Sequence, residues 1–128
     1  MAQVVVYGLK EHLEEVRAAL SDVIHGCLVD ALGLPADKRF QRFVGLEPAS
    51  FIYPVNQTER YTVLEVSMFE GRSMESKKQL IRLLFERCST LGISENDLEI
   101  TIFETPKHNW GIRGVPGDEL DLSYKVEV

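Results

Sequence analysis

Histidine and cysteine are scarce in this chain, three and two residues among 128, and none of the five stands at a metal-ligand spacing. His12, His25 and His108 are scattered without a His-x-x-x-His motif. Cys27 and Cys88 both fall inside helix-patterned segments and read as buried thiols rather than a disulfide or a metal pair. No metal and no cofactor is implied. The chain also lacks any apolar run near the ~20 residues that span a bilayer, and it lacks a basic start followed by an apolar stretch. A cytoplasmic location is therefore expected. Positive charge is in deficit as well: 14 Lys and Arg against 20 Asp and Glu give a formal charge of −6 and a pI near 5.1. Such a surface repels phosphate backbones and anionic lipid, so neither nucleic acid nor a membrane is expected as a partner. A local basic site for a small anion stays open.

What is present suits one core. With 45% hydrophobic and 27% charged residues, 128 residues suffice for one domain spanning 1–128 and fall short of two. The chain also says nearly the same thing twice, "ALGLPADKRFQRFVGLEP" from Ala31 and "TLGISENDLEITIFETP" from Thr90. Each phrase is a helix stop at glycine, a polar turn and a strand start. "QVVVYGL" from Gln3 is apolar almost without alternation, as in a strand covered on both faces. Leu13, Val16, Leu20, Val23, Ile24, Cys27, Leu28 and Ala31 then recur at helical spacing, with Glu11, Glu14 and Glu15 opening the helix where negative charge suits the dipole. Gly33 ends it, Pro35 prevents resumption, and "RFQRFVGL" follows as a strand.

The second half repeats that order. "EPASFIYPVNQTER" has no clean period and reads as a loop with room for a short hairpin arm. "YTVLEVSMF" is the next strand. Ser73 caps a helix with the stripe Met74, Leu80, Ile81, Leu84, Phe85, Cys88 and Leu91, Gly92 stops it, and "DLEITIFE" is the fourth strand. Two pseudo-repeats are thus expected, about 3–47 and 61–105. The tail, with Gly111, Gly114 and Gly117, reads as a turn or hairpin ending in an edge strand, "SYKVEV". The fold class is α+β: duplicated β-α-β units in a two-layer sandwich, with a four-stranded mixed sheet and two long helices on one face. Right-handed crossovers put both helices on that face. The other face is left bare although its strands carry apolar residues there, so a further copy of the protein is expected to cover it.

One stretch is more specific: "LEVSMFEGRSMESKKQLIRLLFE" followed by "LGISENDLEITIFETPKHNWGIRG". In its E-G-R-S turn into a helix and its closing glycine hairpin it resembles 4-oxalocrotonate tautomerase and the wider tautomerase superfamily. The first half resembles a degenerate copy of the same unit, as in the fused members, the malonate semialdehyde decarboxylase and macrophage migration inhibitory factor groups. That resemblance implies a homotrimer, and a small 2-oxo acid or enol carboxylate held by arginines. It also implies an N-terminal proline whose amine transfers the proton, because an α-amino group titrates near 7.7–8 and desolvation lowers it further.

This chain begins "MAQVVV", without that proline. Counting from the turns puts Gln3 at the family position, behind Met1 and Ala2. Two additional strand residues would displace the amine by roughly 6–7 Å, beyond the ~3 Å reach of a general base. Ala2, Gln3 and Asp37 are the catalytic candidates. Arg72 in "FEGRS" matches the family's carboxylate-binding arginine, with pairing to Glu70 or Glu75 as its other reading. Arg39 lies near a second family arginine, with a solvated strand-start charge as the alternative. Trp110 matches the aromatic pocket wall, or is core or interface. Asp37 and Lys38 stand near an acidic position of the decarboxylase-like members. Three functions follow: an isomerase of small 2-oxo acids, a non-catalytic binder or oligomeric scaffold of tautomerase fold, and an unrelated β-α-β protein.

Overall fold

The computed structural model describes residues 2–120. Strand β1 (Ala2–Leu9) runs directly into helix α1 (Lys10–Leu32), which returns to β2 (Gln41–Leu46); β3 (Thr62–Phe69), helix α2 (Met74–Ser89) and β4 (Leu98–Thr105) repeat the order. The sheet is ordered β2-β1-β3-β4, parallel within each half and antiparallel where β1 meets β3. It is the expected mixed four-stranded sheet. A two-stranded hairpin, β5 (Gly111–Ile112) with β6 (Val115–Pro116), follows, turned by Arg113 and Gly114 at φ of 52° and 83°. The "SYKVEV" segment lies outside the described residues. Among those described, no helix is long and apolar enough to cross a membrane.

Both helices pack on one face of the sheet. Alternation in β1 sends Ala2, Val4 and Val6 into the core, and β3 sends Leu64, Val66 and Met68 to the same side. Against them α1 buries Leu13, Leu20, Ile24, Leu28 and Leu32 at helical spacing, and α2 buries Leu80, Leu84 and Cys88. Burying each leucine or isoleucine contributes about 1.5–3 kcal/mol. Truncating Leu20 or Leu84, each exposed by 1% or less, would leave a cavity and cost about 2–5 kcal/mol.

The helix ends follow local chemistry. Ser73 is in extended conformation and its Oγ accepts the Ser76 N–H at 3.1 Å, a side-chain N-cap. α1 has no such cap, because it begins one residue after β1 with Leu9 in the cap position. Gly33 at φ 69° ends α1 and returns its N–H to the Val29 carbonyl at 2.9 Å. The residues after α2 make the same left-handed stop at Gly92, φ 81°.

Among the described residues, no helix covers the opposite face. By register it carries Gln3, Val5 and Tyr7 of β1, Arg42 and Val44 of β2, Val63, Glu65 and Ser67 of β3, and Glu99, Thr101 and Phe103 of β4. Apolar and polar residues therefore alternate across it, a wetter surface than the unbroken "VVVY" suggests. The neighbouring Glu65 carboxylate, for Tyr7, and burial followed by the Glu99 charge, for Tyr61, hold both phenols above the ordinary tyrosine range.

Residues 47–61 form no hairpin. They make a 3₁₀ turn at Pro48–Ser50, then a cluster in which the rings of Phe51, Tyr53 and Tyr61 lie 5.5 Å apart. Asp97 fastens this arm by accepting the Thr58 N–H at 2.8 Å and the Thr58 hydroxyl at 2.5 Å.

Candidate functional site

β1 begins at Ala2, one residue earlier than the turn spacing suggested. Ala2 pairs with Met68 near the end of β3, is 4% exposed, and faces the helices. Gln3 pairs with Ser67 and turns to the bare face, where its Oε1 lies 3.5 Å from Arg42 Nη2. The end of the sheet at which β1 starts and β3 finishes is where most of the sequence-derived candidates gather.

Arg72 follows β3 by three residues and is 5% exposed. Its Nη1 donates to the Leu32 carbonyl at 2.9 Å, at the C-terminus of α1. That helix has no basic residue in its last turn, so the guanidinium provides the positive charge its dipole favours. The signal for this contact is in the sequence only as an absence: the last five residues of a 23-residue helix, "LVDAL", include no Lys, Arg or His.

Trp110 stacks edge-on against Phe69, the last residue of β3, with centroids 5.1 Å apart. The hairpin tail holds it there. The Gly117 N–H donates to the Trp110 carbonyl at 2.6 Å, and a Cβ on Gly117 would stand 2.5 Å from the Lys107 carbonyl and 3.0 Å from the Phe69 ring. Glycine is thus required at residue 117 by close approach. On the helix-facing side, Glu104 is level with Met68 and Ala2 and accepts Lys77 Nζ at 2.7 Å.

The loop after α1 brings the remaining candidates to the same end but aims one elsewhere. Asp37 is exposed and Lys38 half-buried in a turn closed by the Lys38 N–H on the Pro35 carbonyl at 3.0 Å. Arg39 is exposed and folds along α1, 2.7 Å from Asp22 Oδ1 and 3.2 Å from Ser21 Oγ. Ala2, Arg72 and Trp110 therefore lie at one end of the sheet, while the Arg39 guanidinium turns along α1.

Sequence reasoning missed a cleft elsewhere on the sheet. A cleft of about 620 Å³ opens at the far end of the sheet, among Leu9, Leu46, Pro48 and the first turns of α1. Its charged lining is Glu11, Glu14, Glu15, Glu47 and Glu59 against Lys10 and Arg60. Five carboxylates against two cations disfavour a carboxylate ligand, so volume alone does not make this the anion site. His12 lies at its base, 6% exposed, with Nε2 donating to Thr62 Oγ1 at 3.2 Å while that hydroxyl donates to the Arg60 carbonyl at 2.8 Å. Burial first, then the Arg60 charge, hold His12 below the ordinary histidine range.

The two thiols have no part in either place. Both are buried; burial raises the Cys27 pKa and pushes that of Cys88 to about 12, which keeps both protonated and unreactive.

Comparison with known proteins supplies the identity. Residues 38–113 match the tautomerase enzyme family. The 2-hydroxymuconate tautomerase of Comamonas testosteroni is 40% identical over 60 residues, 44% of this chain and 90% of that protein. The probable tautomerase YrdN of Bacillus subtilis is 33% identical over 98 residues, covering 71% and 74%. Among solved structures, a fused 4-OT determined as an asymmetric trimer superposes with a TM-score of 0.80 at 25% identity, over 91% of this chain and 96% of that one. A malonate semialdehyde decarboxylase superposes at 0.76 and 22% identity, over 86% and 89%. The chain belongs to the tautomerase family.

Proposed function

We propose that this protein is a homotrimer of fused β-α-β units that binds a small 2-oxo acid or enol carboxylate at the Ala2 end of the sheet, with Arg72 and Trp110 beside the ligand. The observation that carries the reading is the convergence of Ala2, Arg72 and the Phe69–Trp110 pair at one sheet end. A cation and an aromatic wall beside a strand start are what a planar carboxylate needs for orientation. Trimeric assembly draws on the fused 4-OT relatives solved as trimers and on the uncovered sheet face.

Isomerisation requires a proton carrier at the strand start. Without proline, a chain that keeps Met1 has its amine beyond Ala2, and the binding role stands without turnover. The test is to express a variant with Ala2→Pro and its initiator methionine removed, and to follow phenylenolpyruvate by ultraviolet absorbance. A gain of tautomerase activity over the unmodified chain supports a site that lacks its base alone. No gain in a folded variant shows that the pocket itself has diverged.

A second reading is favoured by one contact. The Arg72 guanidinium already serves the α1 C-terminus, which suits a scaffold in which the family arginine has become structural. Equal affinity of wild type and Arg72→Lys for pyruvate in calorimetry would support that reading over the first.

A further inference from the structure

We propose that the arm between β2 and β3 docks onto a second copy of this chain, with Ile52 and Val55 as its contact residues. This rests on the trimeric reading above and adds to it the element that joins the protomers.

The exposure of these two side chains is the starting point. Among the described residues, the exposed large hydrophobics are Phe40 at 41%, Phe103 at 50%, Met74 at 66%, Ile52 at 91% and Val55 at 104%. The two extremes sit three residues apart on one arm. Single exposed aliphatics are ordinary on a surface, but an aliphatic pair held out on a fixed arm is not explained by the protomer's own packing.

The arm is fixed. Besides the two bonds from Thr58 to Asp97, Gln57 Nε2 donates to the Asn96 carbonyl at 3.2 Å and Asn96 Nδ2 donates to the Asn56 carbonyl at 2.7 Å. Held to the α2–β4 connection in this way at residues 56–58, the arm keeps Ile52 and Val55 out in solvent. It is also already ordered, so docking would not have to fix a flexible loop.

The identity of the partner follows from continuity. Tyr61 stands two residues before Val63, whose register partner is Glu99 of the bare face, and its ring stacks on Phe51 of the arm, so the arm extends the surface that both helices leave uncovered. A copy that covers the bare face comes up to the base of the arm. The pair Ile52 and Val55 stands where such a neighbour would be met, as apolar anchors beside a mixed polar face.

The test is light scattering on the full chain across a dilution series, for wild type, Ile52→Asp/Val55→Asp, and Met74→Asp as an exposed apolar control off the arm. Wild type and the control are expected at three times the 14.5 kDa of one chain. The arm variant is expected to dissociate at about 100-fold higher concentration, as for hot-spot loss in a threefold contact, with unchanged circular dichroism. A second readout does not depend on disruption: an environment-sensitive dye on Val55→Cys should shift to the blue as the trimer forms. Wild-type trimer with an equally stable arm variant, or a dye that stays water-like in the trimer, overturns the arm's role while leaving the trimer standing. A monomeric wild type at micromolar concentration overturns both.

Discussion

Removing the Arg72 side chain should destabilise this protein whether or not it binds anything. In Arg72→Ala the Leu32 carbonyl loses a charged donor at 2.9 Å, worth about 1.5–3 kcal/mol. The α1 C-terminus also loses the cation nearest its dipole, about 0.3–1 kcal/mol at a surface and up to ~2 where partly buried. Since Arg72 is 5% exposed, solvent screens little of either contribution. About 3 kcal/mol is expected in all, a drop in melting temperature of roughly 9–15 °C for a domain of this length. Arg72→Lys keeps the charge without the planar fork and should lose about half as much. The assay is urea unfolding followed by circular dichroism, with the slope compared as well as the midpoint. A fall below ~0.5 kcal/mol at unchanged slope would refute the reasoning and return Arg72 to ligand binding alone.

Other outcomes follow from the same contacts. His12 is held below the ordinary histidine value of 6.5, so the unfolded chain binds its proton first as pH falls; stability present above about 6.5 is lost progressively below it. His12→Asn should flatten the fall in the urea midpoint between pH 7.5 and 5 relative to wild type, and parallel curves would remove His12 from the explanation. Gly117→Ala places a methyl into the Lys107 carbonyl and the Phe69 ring, and should both lower stability by about 1–3 kcal/mol and shift Trp110 emission to the red. Native protein at pH 8 should not react with Ellman's reagent within minutes, while two thiols should react in guanidinium; rapid native labelling would contradict the burial of Cys27 and Cys88.

Much of the fold was legible because short-range chemistry dictates it. Gly33 and Gly92 needed left-handed backbone, Ser73 offered an oxygen to the first turn of α2, and the leucine spacing set the buried stripes. Counting from the turns puts the start of β1 one residue late, because α1 follows β1 with no intervening residue whereas four residues, 70–73, separate β3 from α2. In sequence the 47–61 arm reads as a loop with room for a hairpin, since nothing in "FIYPVNQTER" announces that Asp97 and Asn96, some 40 positions on, will hold it. At the site, motif residues gave positions but not the directions of side chains. The Asp22 carboxylate that draws Arg39 along α1, and the Leu32 carbonyl that takes Arg72, are partners no spacing rule marks.

Trp110 is the sole tryptophan, so its fluorescence reports on the Ala2 end of the sheet alone. Titrating pyruvate into the assembled protein, with pyruvamide as a control of the same size but without charge, tests the proposed carboxylate site most directly. Saturable quenching or enhancement by pyruvate and none by pyruvamide is the expected result. No saturable change up to ~10 mM, the weak end for one charged pair, or equal change with both compounds, would contradict it.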